Sequence, residues 1–260
     1  MIGALLMIAP VIWIIESAFG QDATAYKLPP TWWPVNPSLD NFNRVFEQLR
    51  FEVFIFNSLK VTTAITLGQL ITCSTAAYAF ARLHFPGKDK LFAILISALL
   101  IPSQVTIVPL FILMRYLGLY NTHWSLILAP LVSPFGVFLL RQYFLTIPKE
   151  LDDAVRIDGA GAFTIYWHII LPLSGPALTT LAILTFIYWW NDLFTPLIMI
   201  NKAELLTLPL GLTILPGRYG AAALGNVAAG ITIAIVPVII VFLILQRYII
   251  RSFATTGLKG

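Results

Sequence analysis

The residues best placed to do chemistry lie in a polar interval at about 146–170, between two long apolar segments. Pro148 suits the first turn of a helix, and the carboxylates of Asp152 and Asp153 are favourable near its positive N-terminal end. We expect Asp152 to pair with Arg156, because residues four apart are neighbours on a helix surface. The pattern therefore predicts an ordered helix here. Two interpretations are open: a structured knob with a role of its own, or a helix lying on the lipid headgroups.

Two glycines follow this predicted helix and divide the interval. Gly159 and Gly161 are expected to end or bend the helix, since glycine readily adopts the left-handed conformation found at helix C-termini. A second short helix containing Phe163 and Tyr166 would then lead back to the next apolar segment at Pro172. The sequence thus predicts a helix–glycine–helix arrangement.

The rest of the sequence offers little catalytic or metal chemistry. It has no G-x-x-x-x-G-K-[ST] phosphate loop, so any nucleotide must be held by a partner. His84, His123 and His168 lie far apart and do not show metal-ligand spacing, so we predict no metal site. No Ser/His/Asp or paired-carboxylate arrangement is visible either, and we expect a non-enzyme. The single cysteine, Cys73, lies in an apolar segment and is expected to be a small buried side chain.

Composition indicates the class of protein that carries these residues. Hydrophobic residues make up 58% of the 260 residues and charged residues only 11%, against about 25% charged in soluble domains. Stretches of about 20 apolar residues are long enough to cross a membrane. We therefore predict an all-α membrane protein with a single transmembrane domain, 1–260, of about six helices. The predicted spans are about 1–19, 53–81, 91–114, 124–145, 171–200 and 222–250.

The distribution of Lys and Arg predicts the orientation. With the N-terminus inside, slightly more basic residues fall on the cytoplasmic side, and the short loop 82–90 is dense in positive charge. Both termini are then cytoplasmic. The net charge of +4 is spread along the chain with no basic run, so no nucleic-acid partner is expected. The first segment can also be interpreted as a signal peptide, but it lacks a basic flank, which favours a first transmembrane helix.

The polar interval resembles a known loop. In permeases of binding-protein-dependent ABC importers it follows the pattern E-A-A, three residues, Gly, nine residues, Ile, one residue, Leu-Pro. Here Asp153-Ala154-Val155 is followed at the same spacings by Gly159, Ile169 and Leu171-Pro172. Asp replaces Glu and Val replaces the second Ala. Further short motifs resemble the carbohydrate-uptake subfamily that includes the second permease subunit of the maltose transporter, among them Asn57-Ser58-Leu59, Ala76–Arg82, Phe85-Pro86-Gly87, Arg141-Gln142 and Trp190-Asn191-Asp192.

The resemblance implies a heteromeric importer in a bacterial-type plasma (inner) membrane. Its other parts would be a second permease subunit, two copies of an ABC ATPase subunit that bind ATP and Mg, and an extracytoplasmic substrate-binding protein. The ATPase would dock on the cytoplasmic loop, and the residues that we expect to carry the coupling contact are Asp153, Ala154, Arg156, Asp158 and Gly159. The cargo would be a sugar or oligosaccharide. Alternatives are a permease for glycerol-3-phosphate or another phosphodiester, and a stand-alone secondary transporter.

Trp190, Asn191 and Asp192 are the predicted substrate-pathway residues. Asp192 is an ionisable group at or near membrane depth, and such residues are functional hypotheses by default. Asn191 and Asp192 would hydrogen-bond sugar hydroxyls while an indole stacks on the sugar ring. Helix–helix hydrogen bonding, or a position near water in the outer leaflet, explains the same residues equally well.

Overall fold

In the described parts of the chain, the regular secondary structure consists of helices joined by short turns and loops. The computed structural model describes residues 2–20, 32–34, 36–157, 159–215 and 224–256. The α-helices are α1 Ile2–Phe19, α2 Asp40–Leu49, α3 Phe51–Arg82, α4 Lys88–Ser97, α5 Ser103–Tyr116, α6 Trp124–Ile127, α7 Pro134–Thr146, α8 Glu150–Ile157, α9 Ala162–Ile165, α10 Leu171–Leu173, α11 Gly175–Trp190, α12 Phe194–Met199, α13 Leu208–Leu212 and α14 Leu224–Thr256. Short 3₁₀ helices occupy Ala98–Leu100, Ala129–Leu131 and Ala203–Leu205, and a π-helix occupies Tyr166–Ile170.

Several of these helices are long and apolar enough to cross a membrane. Among the described residues, Phe51–Arg82, Trp124–Thr146 and Leu224–Ile244 meet this condition singly, and two bent helix pairs raise the number to 5 if each is one span. The apolar helix at the N-terminal end, Leu6–Phe19, is shorter. The all-α membrane fold is confirmed, whereas the number of six spans stays a prediction.

The predicted span at about 91–114 is divided into two helices. The structure has Lys88–Leu100 and Ser103–Tyr116, two helical pieces bent by 102°. The break falls at Pro102, which lacks a backbone N–H and disfavours the helical conformation in the residue before it. Ile101 is accordingly extended, with φ −91° and ψ 115°.

The predicted span at about 171–200 is also interrupted. Its first residues belong to the helical run Ala162–Leu173, which is bent by 76° against Gly175–Trp190. The helix then ends at Trp190, and the chain turns before α12. The turn is stabilised by Asp192, whose Oδ1 accepts hydrogen bonds from the N–H groups of Phe194 and Thr195 at 3.1 and 3.2 Å. A carboxylate in this position satisfies N–H groups that have no partner in the first turn of a helix.

The chain forms two compact units. One contains Met1–Lys60 with Trp190–Ile240, and the other contains Val61–Trp189 with Val241–Gly260. In the first unit, the Asn41 amide connects α2 to the end of α1 by donating to the carbonyls of Ala18 and Gly20. The prediction of one domain over 1–260 stays a prediction.

The second unit has a core of buried residues from α3, α7, α11 and the segment that follows α8. Its members include Cys73, Ala77, Val137, Leu140, Phe144, Ile165, Ile170 and Leu181. Cys73 is fully buried, as the sequence predicted. This core is the platform on which the 146–170 loop rests.

Candidate functional site: the loop after α7

The helix predicted at the start of the loop is present as α8, Glu150–Ile157. Glu150, Asp152 and Asp153 lie in its first turn and Arg156 in its last, so the charges match the helix dipole at both ends. The backbone N–H of Asp153 donates to the carbonyl of Lys149 at 3.1 Å.

Gly159 ends this helix in a left-handed conformation, with φ +82°. Its N–H donates to the Arg156 carbonyl at 3.0 Å, and the N–H of Ala160 donates to the Val155 carbonyl at 3.1 Å. This pair of bonds is a Schellman motif, which satisfies carbonyls that the helix itself leaves open. Asp158, the remaining predicted coupling residue, lies outside the described residues.

The outer face of α8 is exposed and mixed in character. The Asp153 side chain is 69% exposed, and its Oδ1 lies 3.9 Å from the Arg156 Nη1. Ala154 beside them is exposed as well, and Ile157 is 86% exposed. The outer face of α8 therefore combines charged and apolar side chains, all accessible from outside the chain.

The predicted pairing of Asp152 with Arg156 is wrong. Asp152 is buried on the inner face of α8, and its Oδ2 lies 3.6 Å from the Nε of Arg82, the last residue of α3. Successive residues on a helix are separated by about 100°, so Asp152 and Asp153 point in different directions despite being adjacent. Arg156 faces outward with Asp153 instead.

The segment after Gly161 is anchored to α3 by polar contacts. It runs as a continuous helical stretch from Ala162 to Leu173, as predicted, with a π-helix in its middle. The Tyr78 hydroxyl donates to the Ala162 carbonyl at 2.8 Å, and the Ser74 and Tyr166 hydroxyls lie 2.7 Å apart. On the other side of this stretch, Phe163 and Trp167 are exposed and stacked, with ring centroids 6.3 Å apart. The loop therefore has a fixed inner side and an open outer side.

The three predicted substrate-pathway residues already have structural contacts. Trp190 is only 2% exposed, and its indole Nε1 donates to the Ala234 carbonyl at 3.0 Å. Asp192 caps α12, as described above. Trp190 and Asn191 also line a cavity of about 250 Å³ together with Pro209 and Ile235. Their role in substrate passage stays a prediction.

A larger cavity in the second unit was not predicted from the sequence. It has a volume of about 570 Å³ and is lined by residues that include Gln69, Ser133, Thr185, Tyr188 and Trp189. The Gln69 carboxamide accepts from the Thr185 hydroxyl at 3.0 Å, and the Tyr188 and Trp189 rings meet edge to face. The adjacent aromatic pair was the available sequence signal, but its partners come from distant segments. An apolar cavity with a few placed polar groups is the usual form of a small-molecule site.

The described residues contain no group of three or more His, Cys, Asp or Glu side chains that would hold a metal ion. The features that they do contain are an exposed helical loop on a membrane domain and a cavity lined by aromatic and neutral polar side chains. An ordered loop of this kind on a bundle of apolar helices is compatible with a membrane permease.

Comparison with known proteins identifies the family. The model of the inner membrane component of binding-protein-dependent transport systems matches residues 69–255. An arabinooligosaccharides transport system permease from Halalkalibacterium halodurans is 38% identical over 87% of this chain and 81% of its own length. An sn-glycerol-3-phosphate transport system permease from Yersinia enterocolitica is 31% identical over 96% and 92%. The crystal structure of a bacterial ABC transporter involved in import of the acidic polysaccharide alginate matches with a TM-score of 0.85 and 26% identity, over 95% of this chain and 92% of that one.

The chain belongs to the inner membrane components of binding-protein-dependent transport systems, and it is an ABC transporter permease. The resemblance inferred from the loop spacing is thereby confirmed. Family membership also decides against a stand-alone secondary transporter.

Proposed function

We propose that this chain is one of two permease subunits of an ATP-driven importer that carries a sugar or oligosaccharide into the cell. Two copies of an ATPase subunit bind ATP and Mg and dock on the loop after α7, at Asp153, Ala154, Arg156, Asp158 and Gly159. A substrate-binding protein delivers cargo on the opposite side of the membrane. Both chain termini are cytoplasmic.

The main support for the docking site is the difference between the two sides of the loop. Its inner side is fixed to the membrane helices, while its outer side presents Asp153 and Arg156 to solvent with 69% and 47% of their side chains exposed. A partner can shift a conformational equilibrium only through contacts that differ between the two states. A rigid helix with an open charged face supplies such contacts, whereas a flexible connector would not.

Cavity chemistry and the relatives together support a carbohydrate cargo. Tyr188 and Trp189 border the cavity of about 570 Å³ and offer apolar ring faces, while Gln69 and Ser133 add neutral polar groups. Sugars have both apolar C–H faces and hydroxyl groups, so this lining suits them. The described residues that line this cavity include no Lys or Arg, and an anionic cargo such as glycerol-3-phosphate would favour basic groups. One of the similar proteins is named for transport of arabinooligosaccharides, which are neutral saccharides.

The test reconstitutes the chain in nanodiscs with the second permease, ATPase and binding protein encoded beside it. ATP hydrolysis is measured with an arabinooligosaccharide, an alginate oligosaccharide and sn-glycerol-3-phosphate as separate additions. We expect stimulation by at least one of the two saccharides. Stimulation by glycerol-3-phosphate alone would overturn the carbohydrate assignment and leave the permease assignment standing.

The docking face is tested in the same nanodiscs by Asp153→Lys. Reversing this exposed charge is expected to abolish cargo-stimulated ATP hydrolysis while the two permeases remain assembled. Asp89→Lys makes the same charge change at an exposed position in the first turn of α4 and is the matched control, with stimulation retained. Normal stimulation in Asp153→Lys would refute docking at this face.

A further inference from the structure

One buried guanidinium joins three elements of the second unit. Arg82 is the last residue of α3 and is only 5% exposed. Its Nη2 donates to the carbonyls of Phe144 and Ile147, at 2.8 and 2.6 Å, which lie at the C-terminal end of α7. Its Nε faces the Asp152 carboxylate on α8 at 3.6 Å. A single side chain thus touches the ends of two long helices and the helix that carries the docking face.

Each of these contacts has a clear physical role. A cation at the C-terminal end of α7 is favourable because the last carbonyls of a helix lack partners and carry partial negative charge. Asp152 then neutralises the buried guanidinium from the α8 side. The side chains of Arg82 and Asp152 are 2% and 6% exposed, so solvent does not screen the pair. Only three residues separate α7 from α8, which makes the junction short as well as charged.

The pair is not built for maximal stability. Within the described residues, Arg82 Nε and Asp152 Oδ1 are buried without a hydrogen-bond partner, and 3.6 Å is longer than a charge-assisted hydrogen bond. Replacing a buried ion pair by apolar residues is often neutral or stabilising, so such a pair is weak evidence for stability. Its other attested use is to fix one arrangement of the elements that carry it.

We infer that Arg82 and Asp152 are a positioning pair that makes α8 move as one body with the ends of α3 and α7. This inference rests on the proposed function, because it concerns how movement of the docked helix reaches the membrane helices. The outer face of α8 receives the partner through Asp153, and the inner face passes the displacement on through Asp152. Neither Arg82 nor Asp152 lines the cavities of about 570 and 250 Å³ described above.

The first experiment measures the junction itself and needs no cargo. Spin labels are placed at the exposed positions 84 and 150 in a Cys73→Ala background, and their distance distribution is recorded in the assembled complex, with and without MgATP and vanadate. In the otherwise native chain we expect one narrow distribution that is the same in both states. Asp152→Asn should broaden it by about twofold, and Asp152→Glu, which keeps the charge, should restore it. An unchanged distribution in Asp152→Asn would overturn the inference.

The second experiment separates transmission from folding. Uptake of the saccharide that stimulates hydrolysis is measured together with ATP consumption, and the ratio of the two is compared between variants. Asp152→Asn should lower uptake per ATP by about fivefold or more, the lower range of usual coupling between sites. A fall in both quantities at constant ratio shows a merely structural role and refutes positioning. If the native complex shows no stimulated hydrolysis, the proposed function fails, and the distance measurement still decides whether the junction is rigid.

Discussion

The left-handed turn at Gly159 gives a prediction whose magnitude follows from the structure. Gly159 has φ +82°, and a Cβ built on it meets nothing within 4 Å. A substitution there is therefore opposed by backbone conformation alone, which costs about 1–2 kcal/mol for an ordinary L-residue. Gly159→Ala should loosen the C-terminal end of α8 by this amount.

The neighbouring glycine is a matched control. Gly161 also has open space around its Cβ position, but its φ is −77°, which any residue adopts. Gly161→Ala makes the identical chemical change two residues away without strain. It should be close to neutral, while Gly159→Asn should fall between Gly159→Ala and the native chain, since Asn tolerates the left-handed region.

The assay is the affinity of the isolated ATPase subunit for the permease pair in nanodiscs. A destabilisation of about 1–2 kcal/mol corresponds to a factor of about 5–30 in the population of the ordered turn. When the competent form becomes a minor one, the apparent dissociation constant rises by the same factor. We expect up to this weakening for Gly159→Ala and less than about twofold for Gly161→Ala. Equal effects of the two variants would refute the argument from the Gly159 conformation.

Two further predictions concern the first unit and are read from thermal unfolding of the purified chain in detergent. Asn57→Ala removes an amide that donates to two carbonyls of the 204–206 segment, at 2.9 and 3.0 Å. It should lower the free energy of unfolding by about 1–3 kcal/mol, because these acceptors lose their partner. Asn43→Ala, at an exposed position, should leave the free energy of unfolding unchanged, and equal losses in the two variants would contradict this. Gly211→Ala places a Cβ 2.3 Å from the Phe54 ring and should lower the free energy of unfolding by about 1–3 kcal/mol through overpacking. Gly175→Ala is the control, because a Cβ there meets open space. If the two variants unfold at the same temperature, the Phe54 ring moves aside and the prediction is wrong.

The loop was predictable from sequence because its signals are local. The acidic first turn and the glycine at 159 each favour the observed conformation through contacts within a few residues, whereas Pro148 lies two residues before α8 rather than in its first turn. The break at Pro102 was equally local, but it was missed because apolar length dominated the prediction of spans. The bent geometry then follows from the missing N–H of that proline rather than from anything distant.

The partner of Asp152 was not predictable in the same way. Arg82 is 70 residues away in the sequence, and nothing in one sequence states which cation meets which carboxylate. The spacing of four residues on a helix favoured a pair between Asp152 and Arg156. That prediction failed because Asp152 is buried on the inner face of α8, against Arg82. The cavity beside Tyr188 and Trp189 was missed for a related reason, since its walls come from α3, the α6–α7 region and α11.

The two departures from the E-A-A pattern lie on opposite sides of α8. Val155, in place of Ala, is half-buried, packs against the core of the second unit and accepts the hydrogen bond that closes the Schellman motif. Its extra methyl groups therefore add apolar contact on the inner side, where the loop is held. Asp153, in place of Glu, is on the outer side, where its shorter side chain places the carboxylate closer to the helix backbone. The inner change bears on how firmly α8 is held, and the outer change bears on the proposed contact with the ATPase, so the positioning and docking experiments address separate halves of one helix.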